Sequence, residues 1–258
     1  MKKLLAFILL LPMAAFAASP FDGTWVAKLD SMKLSDKPDV LVLDKGMYRC
    51  STCAPSYEVK ADGADHAVTG HAYYDSVAVS VAGPNSVQLT RKQAGKVAYT
   101  DSYTISADGK SMTEKWSDRT GKEEATMEIT NVRVAPAPAG AHALSGSWLA
   151  EKVHSASANG ITATFKSTTA GLTMSNPTGQ SYDAKFDGKD YPQAGDPGHT
   201  MVSLKSVDAH TIIETDKRLG KVSDVVRMTV SADGKTMQVV DEDKLAGTTA
   251  SWTMEKQH

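Results

Sequence analysis

The chain has few cysteines, no cluster of positive charge and no long apolar run beyond its N terminus. Only 2 of its 258 residues are cysteine, which excludes a disulfide-dense scaffold and leaves the fold dependent on hydrophobic cores. The 28 basic residues are scattered among 30 acidic ones, and this argues against a surface for nucleic acid or anionic lipid. We therefore expect no nucleic-acid partner and no membrane span.

Short motifs of common enzymes are also missing. The sequence has no nucleophile elbow, phosphate-binding loop, zinc-protease helix or paired catalytic carboxylate motif. We expect a protein that is not an enzyme and that carries no cofactor.

The N terminus has the organisation of a secretory signal peptide. Lys2 and Lys3 precede an apolar run over residues 4–13, and Ala-Phe-Ala at residues 15–17 has the small-x-small form of a cleavage site. We expect residues 1–17 to be removed and the protein to be periplasmic or secreted.

The rest of the chain contains an internal repeat. Residues 57–115 align without a gap on residues 182–240 at an offset of 125, and about a third of the pairs are identical. The stretch SADGKSM at 106–112 returns as SADGKTM at 231–237. These features predict β repeat 1 over residues 18–134 and β repeat 2 over residues 144–258. Between them, the Pro-, Ala- and Gly-rich residues 135–143 are typical of a linker and predict a domain boundary.

Both repeats show the pattern of antiparallel strands. Val77, Val79 and Val81 alternate with small polar or apolar residues, as expected for strands with one buried face. Asp-Gly pairs, such as Asp108-Gly109, separate the strands and suit tight hairpin turns. Closing such a sheet into a barrel removes its two unpaired edge strands. We predict an all-β protein with two tandem up-and-down barrels or barrel-like sheets; a β-sandwich is the alternative.

Each repeat opens on a Gly-x-Trp sequence, with Trp25 in the first repeat and Trp148 in the second. A Gly-x-Trp at the head of the first strand resembles the lipocalin and calycin superfamily. The resemblance implies that the Trp plugs the closed end of a barrel and that a basic side chain from the last strand lies across its indole. Arg133 and Lys256, each near the end of its repeat's final strand, are placed to do this.

A second resemblance covers most of the chain. The sequence YRCSTC at residues 48–53 and YEVKADGAD at residues 57–65 are similar to segments of a group of exported bacterial proteins that have no assigned activity. This resemblance implies export but no chemistry.

The two cysteines and two nearby histidines are the clearest candidates for chemistry. Cys50, Cys53, His66 and His71 have the spacing of a Cys2His2 zinc finger. However, Asp62-Gly63 predicts a turn where a finger needs a helix, and the matching segment of repeat 2 has no Cys or His. We expect a Cys50–Cys53 disulfide and no metal; a redox-active or metal-binding pair and free thiols are the alternatives.

Several polar side chains share a face with apolar ones and are candidate ligand contacts. Asp101 and Asp224 fall in phase with the buried faces of their strands, and Glu114 does so with Met112 and Trp116. Such carboxylates either face a ligand or partner inside the barrel or lie where the strand bends into solvent. Tyr73 and Tyr74 are adjacent, so one is expected in the core and the other at the rim. The candidate ligand-binding residues are Tyr73, Tyr74, Asp101, Tyr103, Asp224 and Met228.

Three functions are compatible with these patterns. Methionine-rich strands and the Gly-x-Trp starts favour an exported barrel that binds a small apolar or amphipathic molecule. The alternatives are a structural or interaction protein of the cell envelope and a redox or metal-handling protein that uses Cys50 and Cys53.

Overall fold

The protein is described here by a computed structural model that covers residues 19–257. The predicted signal peptide, residues 1–17, lies outside the described residues. The fold is all-β and consists of two ten-stranded antiparallel sheets, each curled into a nearly closed barrel. This confirms the predicted fold class of two tandem barrels. No helix within residues 19–257 has the length and apolar character required to cross a bilayer.

The alternating sequence pattern explains the strands. In the strand Lys96–Ile105, for example, Tyr103 and Ile105 are buried while Thr104 between them is exposed. The duplicated heptapeptide forms the same turn twice. Gly109 and Gly234 each have a φ of 69°, and the preceding serine hydroxyl donates to the turn aspartate in both copies. The repeat is therefore a repeat of structure as well as of sequence.

Barrel 1 is built from a continuous part of the chain. Its strands, in chain order, are β2 (Asp39–Asp44), β3 (Met47–Cys50), β4 (Tyr57–Lys60), β5 (His66–Ala67), β6 (Ser76–Gly83), β7 (Ser86–Gln93), β8 (Lys96–Ile105), β9 (Ser111–Asp118), β10 (Ala125–Ala135) and β11 (Gly146–Ala156). Their order in the sheet is β4-β3-β2-β11-β10-β9-β8-β7-β6-β5.

Barrel 2 combines the first strand of the chain with the last nine. Its strands are β1 (Gly23–Ala27), β12 (Thr162–Ser167), β13 (Gly171–Ser175), β14 (Ser181–Lys185), β15 (Tyr191–Pro192), β16 (Met201–Ser206), β17 (Thr211–Arg218), β18 (Lys221–Val230), β19 (Thr236–Asp243) and β20 (Thr248–Lys256). Their order is β14-β13-β12-β1-β20-β19-β18-β17-β16-β15. Short 3-10 turns at Leu29–Ser31 and Ala158–Gly160 lie in the two segments that cross between the barrels.

The two repeats exchange their first strands. β1 of repeat 1 lies between β12 and β20 of barrel 2, whereas β11 of repeat 2 lies between β2 and β10 of barrel 1. The barrels therefore do not coincide with the predicted repeats 18–134 and 144–258. The prediction that residues 135–143 form a domain boundary is wrong, because they join β10 to β11, which are neighbours in one sheet. The sequence shows where the repeat begins but not which edge its first strand pairs with.

The remaining edges of each sheet approach each other. In barrel 1 the Gly63 amide, between β4 and β5, donates to the Val79 carbonyl of β6 at 2.9 Å. In barrel 2, Ser181 of β14 and Ala194 form an isolated bridge with two backbone hydrogen bonds. These contacts reduce the unpaired edge that an open sheet would expose.

Each barrel has its own core and a buried tryptophan at one end. Trp25 and Trp148 are fully buried, and their indole N–H groups donate to the carbonyls of Phe21 and Leu144. The Lys256 ammonium lies 4.9 Å from the Trp25 ring centre, and the Arg133 guanidinium lies 4.0 Å from that of Trp148. Because the first strands are exchanged, each basic side chain covers the tryptophan of the other repeat.

The glycine of Gly-x-Trp is required by this arrangement. Gly23 and Gly146 have φ values of 129° and 135°, a region that L side chains rarely adopt. The aliphatic part of Lys256 also passes 3.4 Å from the position that a Cβ on Gly23 would occupy. A side chain at either glycine would therefore oppose both the backbone conformation and the crossing cation.

Candidate functional site

One cavity lies in barrel 2 and is predominantly apolar. This apolar cavity has a volume of about 360 Å³, which is within the usual range of small-molecule sites. Its walls come from the strands of barrel 2, from both crossing segments and from Met127 of barrel 1. The lining residues are Ala27, Met32, Leu34, Met127, Gly160, Ile161, Thr162, Ala163, Phe165, Met174, Asn176, Glu214, Val226, Met228, Val239, Trp252 and Met254.

Among the residues of 19–257 that line the apolar cavity, Glu214 alone is ionisable. Its carboxylate accepts a hydrogen bond from the Tyr182 hydroxyl at 2.5 Å. Burial raises the pKa of Glu214 to about 7, and burial together with the adjacent Glu214 raises the pKa of Asp216 to about 8. At neutral pH this part of the barrel wall therefore holds at least one protonated carboxyl group, which can donate as well as accept a hydrogen bond.

The second cavity lies in barrel 1 and is lined mainly by polar and aromatic groups. This charged cavity has a volume of about 230 Å³. It is lined by Asp39, Leu41, Tyr48, Cys50, Cys53, Arg91, Asp101, Tyr103, Met112, Glu114 and Trp116. Arg91 and the buried Asp101 form an ion pair inside it.

The other acidic groups of the charged cavity are held by neutral donors. Asp39 accepts from the Thr52 hydroxyl at 3.0 Å, and Glu114 accepts from the Asn131 amide at 3.1 Å. Burial raises the pKa of Asp39 above its ordinary value. Burial, and then the charge of Asp101, raises the pKa of Glu114 to about 7. Neither Asp39 nor Glu114 forms an ion pair within residues 19–257.

The two cavities occupy equivalent positions in the two barrels. Asp101 and Glu114 correspond, at the offset of 125, to Val226 and Val239. Asp39 corresponds to Ala163, because these residues are the register partners of Trp148 and Trp25. Three carboxylates in barrel 1 are thus replaced by three small apolar side chains in barrel 2. One fold presents two cavities with opposite chemistry.

The structure distributes the six predicted ligand-binding residues over three places. Asp101 and Tyr103 line the charged cavity, and Met228 lines the apolar cavity. Asp224 lines neither cavity and is paired with Arg218 at 2.6 Å. Tyr73 and Tyr74 are not among the residues that line either cavity. The alternation along a strand identifies which side chains point inward. It does not show whether those side chains line a cavity.

Tyr73 and Tyr74 connect the arginines of the two barrels. The Arg218 guanidinium of barrel 2 lies 5.3 Å from the Tyr73 ring centre, and the Arg91 guanidinium of barrel 1 lies 5.7 Å from that of Tyr74. The Tyr73 hydroxyl is 3.4 Å from the Thr200 hydroxyl of barrel 2. The two tyrosines point to different surroundings, as adjacent residues in extended chain do.

The two cysteines form a disulfide, as predicted. Both line the charged cavity, and Cys50 is buried. Because the sulfurs are bonded to each other, neither cysteine offers a thiolate to a metal. His66 pairs with Asp62 at 2.8 Å, whereas His71 stacks on Tyr74 at 4.3 Å. Within residues 19–257 no group of three or more His, Cys, Asp or Glu has the geometry of a metal site.

Sequence reasoning missed Glu214 and the crossing-segment residues that line the apolar cavity. Glu214 aligns with Leu89 at the offset of 125. A carboxylate at a position where the other repeat has a core leucine is a signal that could have identified Glu214. Met32 and Ile161 gave no signal, because they lie in the crossing segments, which only the strand exchange brings to the cavity.

No protein-family model, curated protein or solved structure matches the chain.

Proposed function

We propose that the protein binds a small apolar or amphipathic molecule in the apolar cavity of barrel 2. The observation that carries this proposal is the cavity itself: about 360 Å³ bounded by methionine, aromatic and aliphatic side chains. At roughly 30 Å³ for each water-sized group, it accommodates about twelve such groups. Flexible methionine side chains adapt to an apolar guest at low cost.

Glu214 gives the cavity one polar contact. A carboxyl group that is partly protonated near neutral pH serves a ligand hydroxyl or carbonyl without placing a full charge in an apolar wall. This favours an amphipathic ligand whose polar end reaches Glu214 and whose apolar body lies among Met174, Met228 and Trp252. The protein then acts as a carrier or sensor of that molecule.

Native mass spectrometry and a fluorescent probe test the proposal. The purified protein is examined under native and denaturing conditions for bound mass that leaves on denaturation. The apolar dye N-phenyl-1-naphthylamine is then titrated, with energy transfer from tryptophan as the readout, since Trp252 lines the cavity. Val226→Phe adds a ring inside the cavity and is expected to weaken dye binding by about tenfold or more through steric exclusion.

A matched substitution on the same strand is the control. Val222 lies on β18 like Val226 but is 39% exposed and outside the cavity, so Val222→Phe should leave dye affinity unchanged. Equal affinities of the two variants, or no saturable dye binding by the parent protein, would contradict the proposal.

We propose that the protein is exported, periplasmic or secreted, and lipocalin-like. The N-terminal sequence pattern and the disulfide support export, because disulfides persist in oxidising compartments. The two Gly-x-Trp plugs with their crossing cations support the lipocalin likeness. The redox alternative has weaker support, since Cys50 is buried in the barrel and a reactive thiol pair needs access.

A further inference from the structure

We propose that the charged cavity of barrel 1 is a second, separate binding site, and that it takes a small organic ammonium ion. The site consists of Asp39, Asp101 and Glu114 with Arg91, enclosed by aromatic side chains. It differs in position and in ligand class from the apolar cavity, so neither proposal depends on the other.

The balance of charge selects a cation. Three carboxyl groups face one guanidinium in this cavity, and that guanidinium is already engaged by Asp101. Asp39 and Glu114 have only neutral hydrogen-bond donors, from Thr52 and Asn131. Glu114 is half-buried and Asp39 is more exposed. Neither has an ionic partner, and a ligand ammonium in the cavity would supply one. An anionic ligand would meet uncompensated negative charge.

An unpartnered hydroxyl provides independent support for a ligand. Tyr48 is only 1% exposed and lines the cavity. No hydrogen bond joins its hydroxyl to another group of residues 19–257, and the hydroxyl is not among the enclosed polar atoms that lack a partner. It therefore opens onto the cavity and is available to a guest there.

The fold does not require these charges. Barrel 2 fills the positions of Asp39, Asp101 and Glu114 with Ala163, Val226 and Val239 and still closes. Replacing buried ionic groups by apolar ones is commonly neutral or stabilising. Their presence in barrel 1 is therefore better explained by a ligand than by the architecture.

The size and walls of the cavity limit the ligand. A volume of about 230 Å³ corresponds to about eight water-sized groups at roughly 30 Å³ each. Tyr48, Tyr103 and Trp116 line it, and aromatic faces attract ammonium groups. These limits indicate a monoamine or small quaternary ammonium rather than a long polyamine.

Three probes of nearly equal shape test the proposal. Benzylamine, benzyl alcohol and benzoate share a ring and differ in charge. Their binding is measured by isothermal titration calorimetry at about pH 8, where the Glu114 carboxyl is mostly ionised. A benzylamine-induced change in tryptophan emission that is lost in a Trp116→Phe variant locates binding to the charged cavity, since Trp116 lines it. We expect benzylamine to bind at least about tenfold more tightly than benzyl alcohol, and benzoate not to bind.

Near-isosteric variants assign the binding to the carboxylates. Asp39→Asn and Glu114→Gln keep shape and hydrogen bonding and leave the Arg91–Asp101 pair intact. Each should weaken benzylamine by about tenfold or more and should not change binding of the neutral apolar dye to barrel 2. The proposal is overturned by equal affinities for benzylamine and benzyl alcohol. It is also overturned by unchanged affinity in both variants, or by no binding of benzylamine and tetramethylammonium up to about 10 mM.

Discussion

Replacing Trp148 by alanine tests the exchange of first strands, because this residue belongs to the second sequence repeat but is buried in barrel 1. The side chain is 1% exposed and lies under the Arg133 guanidinium at 4.0 Å. Removing a buried tryptophan costs about 3–5 kcal/mol, and the lost cation–π contact adds about 1 kcal/mol. At roughly 4 °C per kcal/mol for a domain of this size, the melting temperature of barrel 1 should fall by about 16–24 °C.

Hydrogen–deuterium exchange with mass spectrometry locates this effect. In Trp148→Ala, peptides from residues 39–134 should lose protection, whereas peptides from residues 162–256 should keep it. Trp25→Ala is the matched control, because Trp25 is equally buried in barrel 2, and it should give the reverse pattern. If alanine prevents barrel 1 from folding, Trp148→Phe gives a milder version of the same pattern. Loss of protection in residues 162–256 of Trp148→Ala would refute the exchange.

Two further predictions concern pH and the Gly-x-Trp glycine. The pKa values of Glu214, about 7, and Asp216, about 8, are raised above their values of about 4 in the unfolded chain. The two protonated carboxyl groups therefore contribute fully to the stability of the folded protein below about pH 4, and this contribution is lost as the pH rises through 7 to 8. Thermal unfolding of barrel 2 should occur at a lower temperature at about pH 8.5 than at about pH 5.5, and Glu214→Gln should reduce this difference; an equal difference in the variant would contradict the assignment. Gly146 has a φ of 135° and lies beside Arg133, whereas Gly95 has a φ of 76° and open space where a Cβ would lie. Gly146→Ala should therefore destabilise barrel 1 in urea more than Gly95→Ala does. The opposite order would show that the crossing cation does not require this glycine.

The sequence predicted the elements of the fold better than their connection. Alternation in β6 and β8 and the Asp-Gly turns identified antiparallel strands, because side-chain period and turn chemistry are local properties. The strand exchange was not predictable in the same way. Gly23-Thr24-Trp25 and Gly146-Ser147-Trp148 are nearly the same sequence. The local pattern therefore does not indicate which barrel each of these two strands joins. The choice depends on the crossing segments, which have no periodic signal.

The candidate sites were predictable in part for a related reason. Asp101, Tyr103 and Met228 have inward phase, and each lines a cavity. Arg91 neutralises Asp101, but it precedes Asp101 by ten positions on another strand, and only the register of β7 and β8 brings them together. Comparing the repeats position by position was informative about chemistry, since it pairs each carboxylate of the charged cavity with an apolar residue of barrel 2.

The exchanged strands also constrain the order in which the chain can assemble during synthesis. Barrel 1 is complete once residue 156 has emerged, whereas the Lys256–Pro20 hydrogen bond of barrel 2 joins residues 236 positions apart. At roughly 5–20 residues per second, β1 waits about 10–50 s for its last partner. During the first part of that interval, β1 is the Gly-x-Trp strand available to the gap between β2 and β10, because β11 has not yet been made. The finished topology therefore requires that the gap between β2 and β10 stay open to β11 and not be filled by β1.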